Sequence, residues 1–257
     1  MLSKLVKLPI LKRLIPSISI RFLRLIKKNR GYFYINETKM FLDFLDPIDR
    51  EIILHQEFES LEIDFLIKQM KNKNINYFLD IGANCGYYSI KISKEISKIK
   101  IIAFEPNTEA YLKFKKTLKK NLIISKKIKL EKFGLSNKSA RLKMQSVVKF
   151  GYAQTGGASV IDGNKIVKNP TFFANFRVGD DYVKLVNKRI SIKIDVERHE
   201  TNVLEGLVQT LKKNKCILQI EIFKKNFNFV NKFLSTYGYK KFYEVKDRSN
   251  YFFKNFD

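Results

Sequence analysis

The chain has 257 residues, 45% of them hydrophobic and 13% aromatic, which is enough to bury one good-sized core and excludes a disordered protein. Its 50 Lys and Arg against 25 Asp and Glu leave a formal charge of +25. Such a balance suits nucleic acid or an anionic membrane, but lysines also crowd ordinary helical segments such as residues 113–120, so charge alone assigns no partner.

Residues 1–30 read as a basic N-terminal extension. Nine Lys and Arg and no acidic residue accompany Leu11, Leu14, Ile15, Ile18, Phe22, Leu25 and Ile26 at helical spacing, the pattern of an interrupted amphipathic helix. Such a helix can lie on an anionic membrane or dock on the protein's own body. Lys7, Pro9, Lys12, Arg13 and Pro16 cut its apolar stretches, so it does not read as a secretory signal. No run approaches the roughly 18 apolar residues that span a bilayer. Cys85 and Cys216 stand outside any C-x-x-C or Cys/His cluster, which argues against a disulfide framework or structural zinc and for the cytoplasm.

Residues 31–75 form a lead-in, with short strands over 32–45 and a helix over 57–70. The pattern then alternates. Strands are expected at 77–81, 100–104, 128–133, 190–194 and 216–222. Helices are expected at 86–96, 108–118 (opened by a Thr108 cap), 201–212 and 226–235. Residues 140–175 read as strands and loops, and 239–253 as a closing hairpin about 247–250. Strands alternating with helices imply an α/β fold with a mostly parallel sheet covered on both faces.

The strongest chemical signal is Phe78-Leu-Asp-Ile-Gly-Ala-Asn-Cys-Gly-Tyr-Tyr-Ser89. A buried strand ends in Asp80, and Gly82 and Gly86 allow a tight turn and a close ligand approach at the carboxyl end of the strand. A dinucleotide pyrophosphate favours G-x-G-x-x-G; here Asn84 replaces the middle glycine and a carboxylate stands beside the turn. That arrangement suits the sulfonium and ammonium of S-adenosylmethionine. In Ile101-Ile-Ala-Phe-Glu-Pro-Asn107, Glu105 ends the next strand, where a carboxylate can accept two ribose hydroxyls; Pro106 stops the strand and Asn107 turns the chain into the next helix. In Ile192-Lys-Ile-Asp-Val-Glu-Arg-His-Glu200, Asp195 falls at the same rim. Asp195, Glu197 and His199 are the catalytic candidates: Asp195 orients an acceptor and His199, with an ordinary pKa of about 6.5, is the better base at neutral pH. Glu200 favours the N-terminus of the following helix. Glu221 interrupts an apolar strand and must pair or face the site. No metal site is evident, although Asp195 and Glu221 could hold a cation if they converge.

These residues resemble the FkbM family of methyltransferases. Its D-x-G-A-N-x-G-Y-Y-S/T is matched by Asp80, Gly82, Ala83, Asn84, Gly86, Tyr87, Tyr88 and Ser89. Its F-E-P-N is matched by Phe104 to Asn107, and its I-D-V-E-G-H-E by Ile194 to Glu200. The resemblance implies a Rossmann-like, seven-stranded class I methyltransferase domain over residues 76–257. It also implies S-adenosylmethionine as cofactor and transfer to an oxygen, commonly that of a sugar. Cofactor contacts are then expected from Asp80, Gly82, Ala83, Asn84, Gly86, Tyr87, Glu105, Pro106 and Asn107, with Asn137 at the adenine. Arg198 stands where the family has glycine, and Asn137 where it has aspartate. The expected acceptor is a small molecule or glycan. A nucleic-acid methyltransferase and a cofactor-binding protein without turnover are the alternatives.

Overall fold

Five largely apolar runs make the parallel centre of a seven-stranded sheet, because strands covered on both faces bury side chains in both directions. In the computed structural model, which describes residues 29–149, 152–161, 168–246 and 248–257, these are β3 (Tyr77–Ile81), β4 (Lys100–Phe104), β5 (Ile128–Glu131), β12 (Arg189–Ile194) and β13 (Lys215–Glu221). Before them come the hairpin β1 (Arg30–Ile35) and β2 (Thr38–Asp43) and the helices α1 (Pro47–His55) and α2 (Ser60–Asn72). The helices α3 (Tyr87–Glu95), α4 (Thr108–Lys120) and the single turn α5 (Leu122–Ser125) link β3 to β5. A second sheet follows from β6 (Gly134–Ser136), β7 (Ala140–Gln145), β10 (Ser159–Val160) and β11 (Thr171–Val178), with a small ribbon of β8 (Val148–Lys149) and β9 (Tyr152–Ala153). The short helix α6 (Gly179–Tyr182) precedes β12. Helices α7 (Glu200–Gly206) and α8 (Val208–Lys213) join β12 to β13, and α9 (Phe227–Ser235) leads to the hairpin β14 (Lys240–Val245) and β15 (Asn250–Lys254). The amphipathic segment expected at residues 1–30 lies, as far as residue 28, outside the described residues.

The large sheet has the order β14-β15-β13-β12-β3-β4-β5. Its strands are parallel from β5 to β13, and β15 runs antiparallel to both β13 and β14. This is the seven-stranded, mostly parallel α/β sheet that the resemblance implied. The chain runs outward from β3 to β5 and returns to lay β12 on the other side of β3, so a topological switch falls between β3 and β12, where open α/β sheets bind ligands.

Two apolar layers cover the sheet. On one face Phe78, Ile101, Ile217 and Phe252 pack with Ile63, Leu66, Ile92 and Phe114 from α2, α3 and α4. On the other, Leu79, Ile192, Leu218 and Phe253 pack with Val203, Leu211 and Val230 from α7, α8 and α9. Ile35, Met40, Leu42 and Ile52 of the lead-in belong to the first layer, so residues 31–75 share the core of the main sheet.

Two local expectations change. Helix α1 was not anticipated, although Asp46 followed by Pro47 is a start signal: the Asp46 carboxylate accepts from the Ile48 N–H and Pro47 fills the first turn. Helix α4 is capped by Asn107 rather than Thr108; the Asn107 Oδ1 accepts from the Glu109 and Ala110 N–H groups.

Candidate active site at the carboxyl rim of the sheet

Two adjacent cavities open at the switch point, and Gly82, Asn84, Asp195 and Glu197 border both. The first is walled by Glu105 and Pro106 on the β4 side and by Leu135, Met144, Val160 and Phe176 of the second sheet. The second lies on the α2–α3 side, between Phe58, Tyr87 and Tyr88 and a group of ionisable residues. The segment read from sequence as irregular thus supplies a wall of the first cavity.

The turn after β3 owes its shape to glycine. Gly82 has φ +85°, and a Cβ there would lie 1.9 Å from the Asp195 carbonyl oxygen. Gly86 also has φ +85°, but its missing Cβ makes room for the Phe114 ring at 2.3 Å, so Gly86 serves packing and not ligand approach. The Glu105 carboxylate accepts from the Asn84 N–H and the Asn107 N–H, both at 2.7 Å. Burial pushes Glu105 up to about 7 despite these bonds. Asp80 is buried; its Oδ2 accepts from Ser89 Oγ at 2.6 Å, while Oδ1 is buried without a hydrogen-bond partner and the residue lines the second cavity. Ala83 and Tyr87 also line that cavity. Asn84 Oδ1 accepts from Thr155 Oγ1 at 3.0 Å, which joins the turn to the loop 154–158 above it.

Period-two alternation gathers the charged groups. Asp80 on β3 lies in register with Lys193 on β12, and Lys193 with Gln219 on β13. Lys193 is buried; its ammonium lies 2.7 Å from Asp195 and 4.7 Å from the Tyr88 ring centre. Burial alone would lower the Lys193 pKa, but Asp195, Glu59 and Asp80 raise it above the ordinary value, so it is an ammonium at neutral pH. Burial would raise Asp195, yet Lys193 and a hydrogen bond with Glu221 hold it below the ordinary carboxylate value. Glu221 is pushed by burial and by Asp195 up to about 9 and carries a proton at neutral pH. Asp195 and Glu221 therefore do converge, with the Lys193 ammonium as the cation beside them. Among the described residues no group of three or more His, Cys, Asp and Glu is arranged for a metal ion.

Glu197, raised by burial and then by Asp195 and Glu200 to about 7, borders both cavities. It and Arg198 are both left-handed, at φ 51° and 77°. Arg198 thus holds a left-handed conformation at the position where the resemblance implies glycine. The Arg198 guanidinium sits 5.0 Å from the Phe223 ring centre, and the Arg198 backbone N–H donates to Glu200 Oε1 at 2.7 Å.

Three expected site residues stand elsewhere. His199 is buried, with Nε2 2.9 Å from Ser136 Oγ and its ring edge-on to Phe176; it backs the wall of the first cavity instead of facing the rim. Asn137 is exposed; its Nδ2 donates to Glu205 at 2.7 Å, and it lines neither cavity. Asn107 spends its side chain on the helix cap and touches the site only through its N–H bond to Glu105. Lys193 and Glu59 were missed. The signal for Lys193 was present: it interrupts an apolar strand two positions before Asp195, as Glu221 interrupts the next. Glu59 precedes α2, far from the motifs in sequence, and meets them only because its carboxylate accepts from Tyr88 Oη at 2.7 Å.

Residues 80–241 match the Methyltransferase FkbM domain. The FkbM methyltransferase of Methylobacillus flagellatus has a similar structure, at TM-score 0.50 and 14% identity over 70% of this chain and 43% of its own. The chain thus spans less than half of that relative's length. The human methyltransferase 10 domain containing protein gives a TM-score of 0.47 at 12% identity, over 94% of this chain and 98% of its own. An rRNA methylase from Streptococcus thermophilus gives 0.42 at 12% identity, over 76% and 92%. No curated protein matches the chain.

Proposed function

The chain belongs to the FkbM methyltransferase family, and from that premise we propose that it methylates a hydroxyl oxygen of a sugar or glycan-type acceptor, using S-adenosylmethionine. One observation carries the reading: a cavity suited to an adenosine and a cavity lined by carboxyls and aromatic rings meet at Gly82, Asn84, Asp195 and Glu197.

The residues present fit the cofactor. Glu105 retains lone pairs beyond its two backbone bonds for ribose hydroxyls, and Leu135, Met144 and Phe176 offer an apolar wall for the base. The unpartnered Asp80 Oδ1 suits a cationic methionine end, since a buried carboxylate oxygen left alone is costly. When bound, the cofactor supplies an electrophilic methyl group on sulfur.

The chain's own residues supply position and a proton acceptor. Asp195, fixed by Lys193 and by the protonated Glu221, orients the acceptor hydroxyl. Glu197 receives its proton, because a group that titrates near 7 is matched to neutral pH and Glu197 borders both cavities. His199 leaves the base role to it. Holding both reactants in line can contribute roughly 7 to 11 kcal/mol toward the barrier.

Calorimetry with S-adenosylmethionine tests the cofactor half: Glu105→Ala is expected to weaken binding about 10-fold or more through lost charged hydrogen bonds. Unchanged affinity removes Glu105 from the site. Methyl-labelled cofactor with fractionated glycans, lipids and nucleic acids tests the acceptor half. Label in the glycan fraction is expected, and label in nucleic acid overturns the reading.

A further inference from the structure

We propose that the corner where α4 meets α5 is a docking surface for an anionic lipid membrane. It is a feature of the folded body, separate from the rim.

The turn α5 buries none of its residues, and Leu122 and Ile123 at its start are 70% and 80% exposed. Isolated exposed aliphatics are ordinary, but these two sit inside a cationic frame. No acidic residue lies between Glu109 and Glu131, and Lys115, Lys116, Lys119, Lys120 and Lys126 in that stretch are all exposed. The ion pairs of this stretch among the described residues fall to Lys113 and Lys129, so none of the five exposed lysines faces a carboxylate partner, although Lys116 lies 4.0 Å from the Phe41 ring centre.

The surface continues onto the first hairpin. Asn121 Nδ2 donates to the Lys39 carbonyl at 2.9 Å, and Lys120 lies 5.8 Å from the Tyr32 ring centre. Lys39 in turn lies 5.6 Å from the ring centre of Tyr34, which is 68% exposed. Aliphatic tips, tyrosines and snorkelling lysines are the side chains that settle respectively in the acyl boundary, the interface and the headgroups. A polyanion such as RNA would use the lysines and tyrosines but leave Leu122 and Ile123 with nothing to bury against. A second copy of the chain would bring lysines against lysines. Lipid satisfies both halves of the surface. Helix α4 starts at the rim, where Asn107 caps it, and its 13 residues carry the chain roughly 20 Å away, so docking at this corner leaves the rim clear.

The test uses the full chain with vesicles of phosphatidylcholine, alone or mixed with phosphatidylglycerol. Sedimentation should occur with the mixed vesicles only. Replacing three lysines together (Lys116→Gln, Lys119→Gln, Lys120→Gln) should lower it about 100-fold, at about a fivefold loss per lysine. Leu122→Ser with Ile123→Ser should lower it about 10-fold or more. The chain contains no tryptophan, so Ile123→Trp is a lone reporter whose emission should shift to the blue on the mixed vesicles. The proposal is overturned by sedimentation unchanged in either set of variants, or by an Ile123→Trp emission that does not move while the protein is vesicle-bound. Binding to single-stranded RNA that depends on the lysines and ignores Leu122 and Ile123, with no vesicle binding, overturns it in favour of nucleic acid.

Discussion

The turns that follow β3 and β12 lie side by side on the same rim, and both bend through left-handed backbone. The first does so at Gly82, Asn84 and Gly86, the second at Glu197 and Arg198. The difference is one of space. At Gly82 the neighbouring strand end fills the volume a side chain would need, with the Asp195 carbonyl 1.9 Å from a Cβ. At Glu197 the side chain points to the cavities, so the second turn carries a carboxyl group at a backbone cost of roughly 1 to 2 kcal/mol per left-handed residue. One turn is closed against protein and must be bare; the other is open to the cavities and can be armed.

The largest effect expected from that contrast is at Gly82. Gly82→Ala combines a positive φ with a clash against backbone, which cannot rotate away. It should cost about 3 to 5 kcal/mol, a large share of the stability of a typical domain. Denaturant unfolding measures it, and a variant within 1 kcal/mol of the parent would mean the two strand ends are not held together.

Glu197→Gln should come next, lowering turnover by about 10² to 10⁴-fold with cofactor affinity nearly unchanged. In the parent chain the rate should rise through about pH 7 as Glu197 loses its proton, and the variant should lose that limb. The same shift sets a stability slope. The folded state holds this proton above the ordinary Glu value of about 4.3, so between that pH and about 7 it binds more protons than the unfolded chain. Glu197 therefore makes the fold less stable as pH rises through that window, and Glu197→Gln should flatten that part of the profile. His199→Ala is the control: it removes the Ser136 and Phe176 contacts, so it should lower the melting temperature and keep the pH limb. A lost limb in His199→Ala would return the base role to His199.

Arg198→Gly should have the smallest effect. Glycine relieves left-handed strain but loosens the unfolded chain by roughly 0.5 to 1 kcal/mol and gives up a ring contact worth roughly 0.5 to 1 kcal/mol. The terms nearly cancel, so the melting temperature should move by a few degrees at most. A larger fall would make the stacking of Arg198 on Phe223 a structural anchor of the rim.

Much of this was legible in the residues. Strands β3 and β4 appear at the expected positions because their apolar runs end sharply at Gly82 and Pro106; alternating strand and helix patterns gave the mostly parallel sheet, and the family resemblance its seven strands. Asp80, Glu105 and Asp195 were legible because a charged residue closing an apolar strand has few places to go but the rim, and Glu197 because it follows Asp195 in the same motif. Residues 140–175 resisted reading because short, exposed strands alternate weakly and bury little; their sheet exists by pairing, β7 against β11 and β11 beside β6.

By itself the sequence determined the family, the parallel sheet, and the rim to which the proposed site is assigned, since those depend on local periodicity and on motifs contiguous in the chain. Only the tertiary structure decided which neighbours of the motifs face the cavities. It turned His199 toward Ser136 and Phe176, left Asn137 at the surface with Glu205, and across long stretches of chain brought Glu59 to Lys193 and Asp195 and Lys193 to Asp80. The direction of a side chain one or two residues past a strand end depends on the left-handed turn at Glu197 and Arg198, and the charge state of each carboxyl depends on burial and on partners. Neither quantity is a property of a residue's position in the sequence.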